Sequence, residues 1–258
     1  VVIIGQGGIV GASVAHHLVA AGWDDIVGLE KSAIPTDIGS TSHASDFCYM
    51  TSHDKLTCFT STYSREFYRS RGNFIEIGGM EVARKGDDAQ VQELLRKVGS
   101  GKAFGTNARM ITAAEAKERF PLLEEDSIEC AMWDPDAGLV TPRSQKVAGD
   151  LVDEAVAAGK LQVFPYTAAE EIIVEDGRAV GVKTAKGTIM ADYVVLCAGI
   201  WGSLVSETAN VKLPLMPVEH PLLFFGPWDA LEGTGKDIVY PLFRDQGNLA
   251  LMALLALK

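Results

Sequence analysis

The chain has 258 residues, of which 47% are hydrophobic, and carries a formal net charge of −11. That apolar share builds a sizeable core and excludes a disordered chain. The acidic balance argues against a nucleic-acid protein, which needs clustered Lys and Arg, but permits an anionic cofactor gripped by backbone N–H groups.

The length suits one large domain or two intertwined ones. Cys48, Cys58, Cys130 and Cys197 form no C-x-x-C pair and no zinc pattern. They read as reduced thiols of a cytoplasmic or mitochondrial-matrix protein, with no metal site expected. No apolar run reaches the roughly 18–20 residues of a membrane span. The sequence opens on a strand without Met or signal peptide, so a few residues are expected to precede it and secretion is not.

The first five residues, VVIIG, are a β-branched run typical of a buried parallel strand. Ile9, Val10, Val14 and Leu18 then recur at helical spacing, with Gly22 as the stop. DIVGLE at 25–30 is a second buried strand ending in an acid, so the segment is β-α-β and the sheet parallel. Residues 32–46 read as loop, and 53–70 as helix. FIEIGGMEVARK at 74–85 reads as strand pieces around a Gly-Gly kink. Thr112 and Glu115 form a capping box for a short helix that stops at Phe120-Pro121. Thr141 as N-cap and Pro142 at the first position open a further helix that ends before Gly159. From 160 to 198 the chain reads as strands, with hairpin turns at EDGR and AKG. Strands are also expected at 212–226 and 238–244.

The stretch GQGGIVG at 5–11 resembles a dinucleotide-binding turn with one residue too many. Such a turn needs one glycine to leave the strand, one to let backbone approach a pyrophosphate, and one for close helix packing. Gly5, Gly8 and Gly11 take those places, and Gln6-Gly7 is expected to bulge outward, Gly7 tolerating a positive φ. Glu30 closes the second strand where a carboxylate accepts hydrogen bonds from a ribose diol, and its charge disfavours a 2′-phosphate. NAD and FAD both fit these residues. Further along, YVVLCAGIWG at 193–202 is expected to meet a cofactor edge-on, and His220 stands inside an apolar strand.

Together these residues resemble the glycine oxidase/sarcosine dehydrogenase group of FAD-dependent amine oxidoreductases, nearest its dimethylglycine dehydrogenase and oxidase branch. GSTSHAS at 39–45 resembles the group's GST-x-HA loop, and IGGMEVA, DPDAGLVTPR and ADYVVLCAGIWG match in order. The resemblance implies an α/β fold: a Rossmann-like FAD-binding domain (1–71 and 136–211) interleaved with an α+β substrate domain on a mixed or antiparallel sheet (72–135 and 212–258). It implies a fragment of a longer protein whose missing C-terminal part could bind tetrahydrofolate. By position, Gly5, Gly7, Gly8 and Gly11 hold the pyrophosphate turn and Glu30 the ribose. Lys31, Ala169, Ala198, Gly199 and Trp201 flank the cofactor, Ser40, Thr41 and Ser42 line the flavin, and His43 is the covalent attachment point. His220 falls at an active-site histidine. The implied reaction moves a hydride from an N-methyl amino acid to flavin N5, with oxygen or an electron-transfer flavoprotein as acceptor. The alternatives are an oxidase of another amine, such as methylaminobutanoate or a D-amino acid, and a non-catalytic dinucleotide-binding module. Four departures stand out: the enlarged turn, Ser45-Asp46 after the loop, the lack of a Tyr-Tyr-Arg-like segment after Asp245, and the short chain.

Overall fold

The β-branched start forms the strand expected of it. In the computed structural model, which describes residues 1–219 and 240–245 and the backbone of 251–253, β1 spans Val2–Ile4 and is wholly buried. It leads into α1 (Ile9–Ala20) and β2 (Ile26–Leu29). The chain continues through β3 (Phe47–Cys48), α2 (Lys55–Ser70), β4 (Phe74–Glu76), β5 (Gly79–Arg84) and α3 (Asp88–Ala103). Next come β6 (Arg109–Thr112), α4 (Ala113–Arg119), β7 (Ile128–Asp134) and β8 (Gly138–Val140). Then follow α5 (Ser144–Ala157), β9 (Leu161–Phe164), β10 (Ala169–Glu175), β11 (Arg178–Thr184), β12 (Gly187–Met190), β13 (Val194–Leu196) and α6 (Gly202–Glu207). β14 (Leu242–Asp245) and β15 (Leu251–Ala253) complete the elements. Two units alternate along the chain: unit 1 is Val1–Ala44 with Pro142–Leu222, and unit 2 is Ser45–Thr141 with Leu223–Lys258.

Unit 1 is built on a parallel sheet in the order β13-β1-β2-β9. α1 packs on α5 through small side chains: Ala12 and Ala15 are fully buried, as are Val147, Ala148 and Leu151 opposite. An antiparallel sheet, β10-β11-β12, shares a cluster with the parallel strands, in which Ile172 and Val182 pack with Val2, Ile4 and Leu29. Its first hairpin turns at Asp176 (φ 49°) and Gly177 (φ 75°), the paired positive dihedrals that match strand twist.

Unit 2 holds a mixed sheet in the order β15-β14-β5-β7-β6, in which only β14–β5 is parallel, and an antiparallel sheet β3-β8-β4. Met80, Val82, Ile111 and Ala131 form its core with Phe120 and Phe243, whose rings stack at 5.1 Å. The Gly-Gly kink separates β4 from β5, and Gly78 (φ 71°) leaves room for the Trp133 ring, which a Cβ there would meet at 2.1 Å. Glu81, 1% exposed, is neutralised by Lys97 at 2.9 Å. Buried Asp134 accepts the Met50 and Thr51 N–H groups at 3.0 Å, and burial holds its carboxyl above the usual range.

The fold class is as expected: a mixed α/β fold with a parallel nucleotide-type sheet beside mixed and antiparallel sheets. Several local expectations need correction. Residues 45–71 and 136–141 fall in unit 2, not with the parallel sheet, because β3 pairs with β8 and α2 packs beside β4 and α3. The capping box at Thr112 and Glu115 forms, but Thr141 caps no helix. Its N–H and C=O are bonded to Asn73, so α5 starts two residues later behind an extended Arg143. Residues 212–219 form no strand, since Pro214 and Pro217 lack donors and Leu215 N–H turns back to the Leu213 carbonyl at 2.8 Å. The remainder of that expected strand lies outside the described residues. Helix α3 is not among the expected elements, although Asp87 accepts the Gln90 N–H at its start.

Candidate dinucleotide site

The site is built where β1 ends. Gly5 has φ 90°, and a Cβ there would stand 2.4 Å from the Cys197 carbonyl, so the turn demands glycine for dihedral and space alike. A Cβ on Gly11 would meet the Gly5 carbonyl at 2.2 Å, which lets α1 start directly against the strand end. Gly8 differs: as N-cap of α1 it is extended (φ −86°, ψ 162°), and its Cβ would meet only Thr41 Oγ1, at 3.5 Å. The Ile9 N–H donates to Thr41 Oγ1 at 3.0 Å. The N–H groups of Gly8 and Val10 have no partner among the described residues. Two unpaired donors at the positive end of a twelve-residue helix attract an anion.

The extra residue does not bulge outward. Gln6 is fully buried and Gly7 is buried beside it, a correction to the expectation. The Gly7 N–H donates to Glu30 Oε2 at 3.0 Å, and Glu30 Oε1 accepts the Ser32 N–H at 3.1 Å and its hydroxyl at 3.3 Å. Glu30 is 6% exposed, both its oxygens accept from these donors, and the residue lines a cavity.

That cavity, about 750 Å³, lies wholly within unit 1. Ten of the expected cofactor residues line it: Gly5, Gly8, Glu30, Lys31, Ser40, Thr41, Ala169, Ala198, Gly199 and Trp201. Lys31 Nζ sits 4.0 Å from the centre of the Trp201 ring, a cation–π pair at the wall. Gly7 and Gly11 stand behind the turn and do not line it. Ser42 and His43 do not line it either, and His43 is exposed. Its Nδ1 lies 3.0 Å from both the Gly39 carbonyl and the Ser42 hydroxyl. His220 lies outside the described residues. Among those described, no group of His, Cys, Asp and Glu could hold a metal ion, and no helix is long and apolar enough to cross a membrane.

Some lining residues had no sequence signal. Ser144 arrives with the start of α5, and Leu213, Leu215 and Met216 add apolar lining. Thr167 sits two residues before Ala169, its hydroxyl bonded to Lys186 Nζ at 2.8 Å. Cys197 also lines the cavity, and burial raises the pKa of its thiol, which argues against a thiolate nucleophile.

The family model described as FAD dependent oxidoreductase matches residues 1–253. The mitochondrial pyruvate dehydrogenase phosphatase regulatory subunit of Mus musculus is 30% identical over 88% of this chain and 26% of its own length. The 4-methylaminobutanoate oxidase (formaldehyde-forming) of Paenarthrobacter nicotinovorans is 32% identical over 96% of this chain and 29% of its own. The mitochondrial sarcosine dehydrogenase of Homo sapiens is 28% identical over 85% and 24%. Among solved structures, the L-proline dehydrogenase from P. horikoshii superposes with a TM-score of 0.80 at 26% identity, over 98% of this chain and 66% of that one. The chain thus spans 24–29% of the length of these curated relatives.

Proposed function

The chain belongs to the FAD-dependent oxidoreductase family, and we propose that the unit 1 cavity holds the FAD and that the protein oxidises an N-methylated amino acid. The head of α1 carries this reading. The unpaired Gly8 and Val10 N–H groups, beside a glycine whose missing side chain leaves open space, suit a pyrophosphate. The fixed Glu30 carboxylate suits a ribose diol, and the cavity volume of about 750 Å³ suits a dinucleotide. On this reading Gly5 and Gly11 shape the turn and Gly7 orients Glu30. Ala169 offers backbone to the adenine, while Lys31 and Trp201 form a wall. Ser40, Thr41, Ala198 and Gly199 border the flavin half. When bound, FAD supplies the two-electron acceptor. The chain positions it, and Leu213, Leu215 and Met216 add apolar side chains to the lining.

The amine class rests on relatives named as sarcosine dehydrogenase, dimethylglycine dehydrogenase and 4-methylaminobutanoate oxidase. Anaerobic addition of sarcosine, dimethylglycine and 4-methylaminobutanoate to the purified protein tests it. At least one should bleach the visible flavin band. Acid precipitation of the same protein tests His43: release of all the flavin removes it as an attachment point. A second reading, a dinucleotide-binding module without turnover, is favoured by the relative named as a phosphatase regulatory subunit. Flavin that copurifies but bleaches with no amine would decide for it.

A further inference from the structure

We infer that the extra residue of the glycine turn is a positioning device for Glu30, with Gln6 stowed in the space left by the missing side chain of Gly28. The inference rests on the reading that Glu30 takes the ribose of FAD. A Cβ on Gly28 would stand 2.5 Å from Gln6 Cγ, 2.8 Å from Cδ and 2.7 Å from Oε1. The Gln6 side chain therefore occupies the volume that any other residue on β2 would claim. It is fully buried, and Nε2 donates to the Gly11 carbonyl at a long 3.4 Å. Oε1 has no partner among the described residues. A buried orphan acceptor opposes this placement, so fit to Gly28 and the backbone hold it, not its own polar bonds.

The backbone explains what the placement does. The Gly5 and Gln6 N–H groups both donate to the Leu29 carbonyl, at 2.9 and 3.0 Å, and the next donor, Gly7, reaches Glu30 Oε2. Three successive N–H groups thus climb the end of β2, and where Gln6 sits decides whether Gly7 meets the carboxylate. With Ser32 on Oε1, Glu30 is oriented before any ligand arrives. Gln6 is a positioning residue: it acts on a ligand only through Gly7 and Glu30.

The test is titration of the apoprotein with FAD, read by flavin fluorescence, on wild type, Gly28→Ala, Gln6→Ala/Gly28→Ala, Glu30→Gln and Glu30→Gln/Gly28→Ala, each checked for folding by circular dichroism. Gly28→Ala evicts Gln6 and should weaken FAD about tenfold, the worth of one hydrogen bond to a charged group. Adding Gln6→Ala should bring affinity back to within about threefold of wild type, and in the Glu30→Gln background Gly28→Ala should change it less than about twofold. An equal loss in that background, no loss in Gly28→Ala, or no recovery in the pair with Gln6→Ala overturns the inference. If Gly28→Ala does not fold, recovery of a folded, FAD-binding protein in Gln6→Ala/Gly28→Ala supports it, and failure of that pair overturns it. A wild type that binds no FAD, or a Glu30→Gln protein that binds it as well as wild type, instead defeats the underlying reading of the site.

Discussion

Replacing a glycine inside a helix by alanine ordinarily stabilises, by up to about 1 kcal/mol. Two helical glycines here should respond with opposite signs. Gly99 in α3 is exposed, and a Cβ there would meet nothing within 4 Å, so Gly99→Ala should gain about 0.5–1 kcal/mol. In α1, a Cβ on Gly11 would stand 2.2 Å from the Gly5 carbonyl oxygen and 3.0 Å from Gln6 Cα. Ordinary carbon–oxygen contact begins near 3.2 Å, so α1 must retreat by about 1 Å from a turn that cannot yield. Overpacking of this kind costs about 1–3 kcal/mol, and two rigid backbone segments place it at the upper end. Against the propensity gain, the net loss is about 2 kcal/mol, or about 4–8 °C in Tm for a chain of this size. Thermal unfolding of both variants, with FAD titration of each, is the assay. Gly99→Ala should leave FAD binding unchanged, and Gly11→Ala should weaken it, since the Gly8 and Val10 donors move with the helix. A Gly11→Ala protein as stable as Gly99→Ala would refute the close-approach reasoning.

Other expectations follow from single contacts. Thr41→Val removes the oxygen that accepts the Ile9 N–H and should lower stability by about 1 kcal/mol in urea unfolding. Asp134→Ala strands the buried Met50 and Thr51 donors and should cost about 3 kcal/mol, whereas Asp134→Asn, which keeps an acceptor, should cost about 1 kcal/mol. Burial and the nearby Asp46 push the Cys48 thiol from its ordinary 9.0 to about 11. The folded state therefore holds the proton more tightly, and the stabilisation is complete below pH 9 and lost as pH rises through about 11. Chemical unfolding across that range should show the fall in wild type and a flatter profile in Cys48→Ala. Alkylation of Cys48 in the native protein should be slow at neutral pH.

What the sequence disclosed follows from how local each signal is. β1, α1 and β2 were legible because a β-branched run, a helical period and a stop glycine act within a few residues. The capping box of α4 and the EDGR hairpin are equally local. Helix α5 was displaced by two residues because Thr141 spends its backbone on Asn73, a partner 68 positions away. The glycine turn shows the limit most clearly. Spacing put Gly5, Gly8 and Gly11 in the turn between β1 and α1, but the direction of Gln6 depends on Gly28, whose relevance no local pattern announces. The GST-x-HA resemblance brought Ser40 and Thr41 to the cavity, yet Thr41 also caps α1, and His43 turns to Gly39.

Gly8→Asp tests the central claim most directly. Its extended dihedrals suit any residue, its Cβ has room, and Asp is a favoured N-cap, so the apoprotein should fold with a Tm at or above that of wild type. A carboxylate there would stand at the site proposed for the pyrophosphate, where like charges about 5 Å apart repel. Repulsion of about 3 kcal/mol should then weaken FAD about a hundredfold. Wild type should bind one FAD per chain, and Gly8→Asp, equally folded, should bind it about a hundredfold more weakly. A Gly8→Asp protein that holds FAD as tightly as wild type would contradict the account.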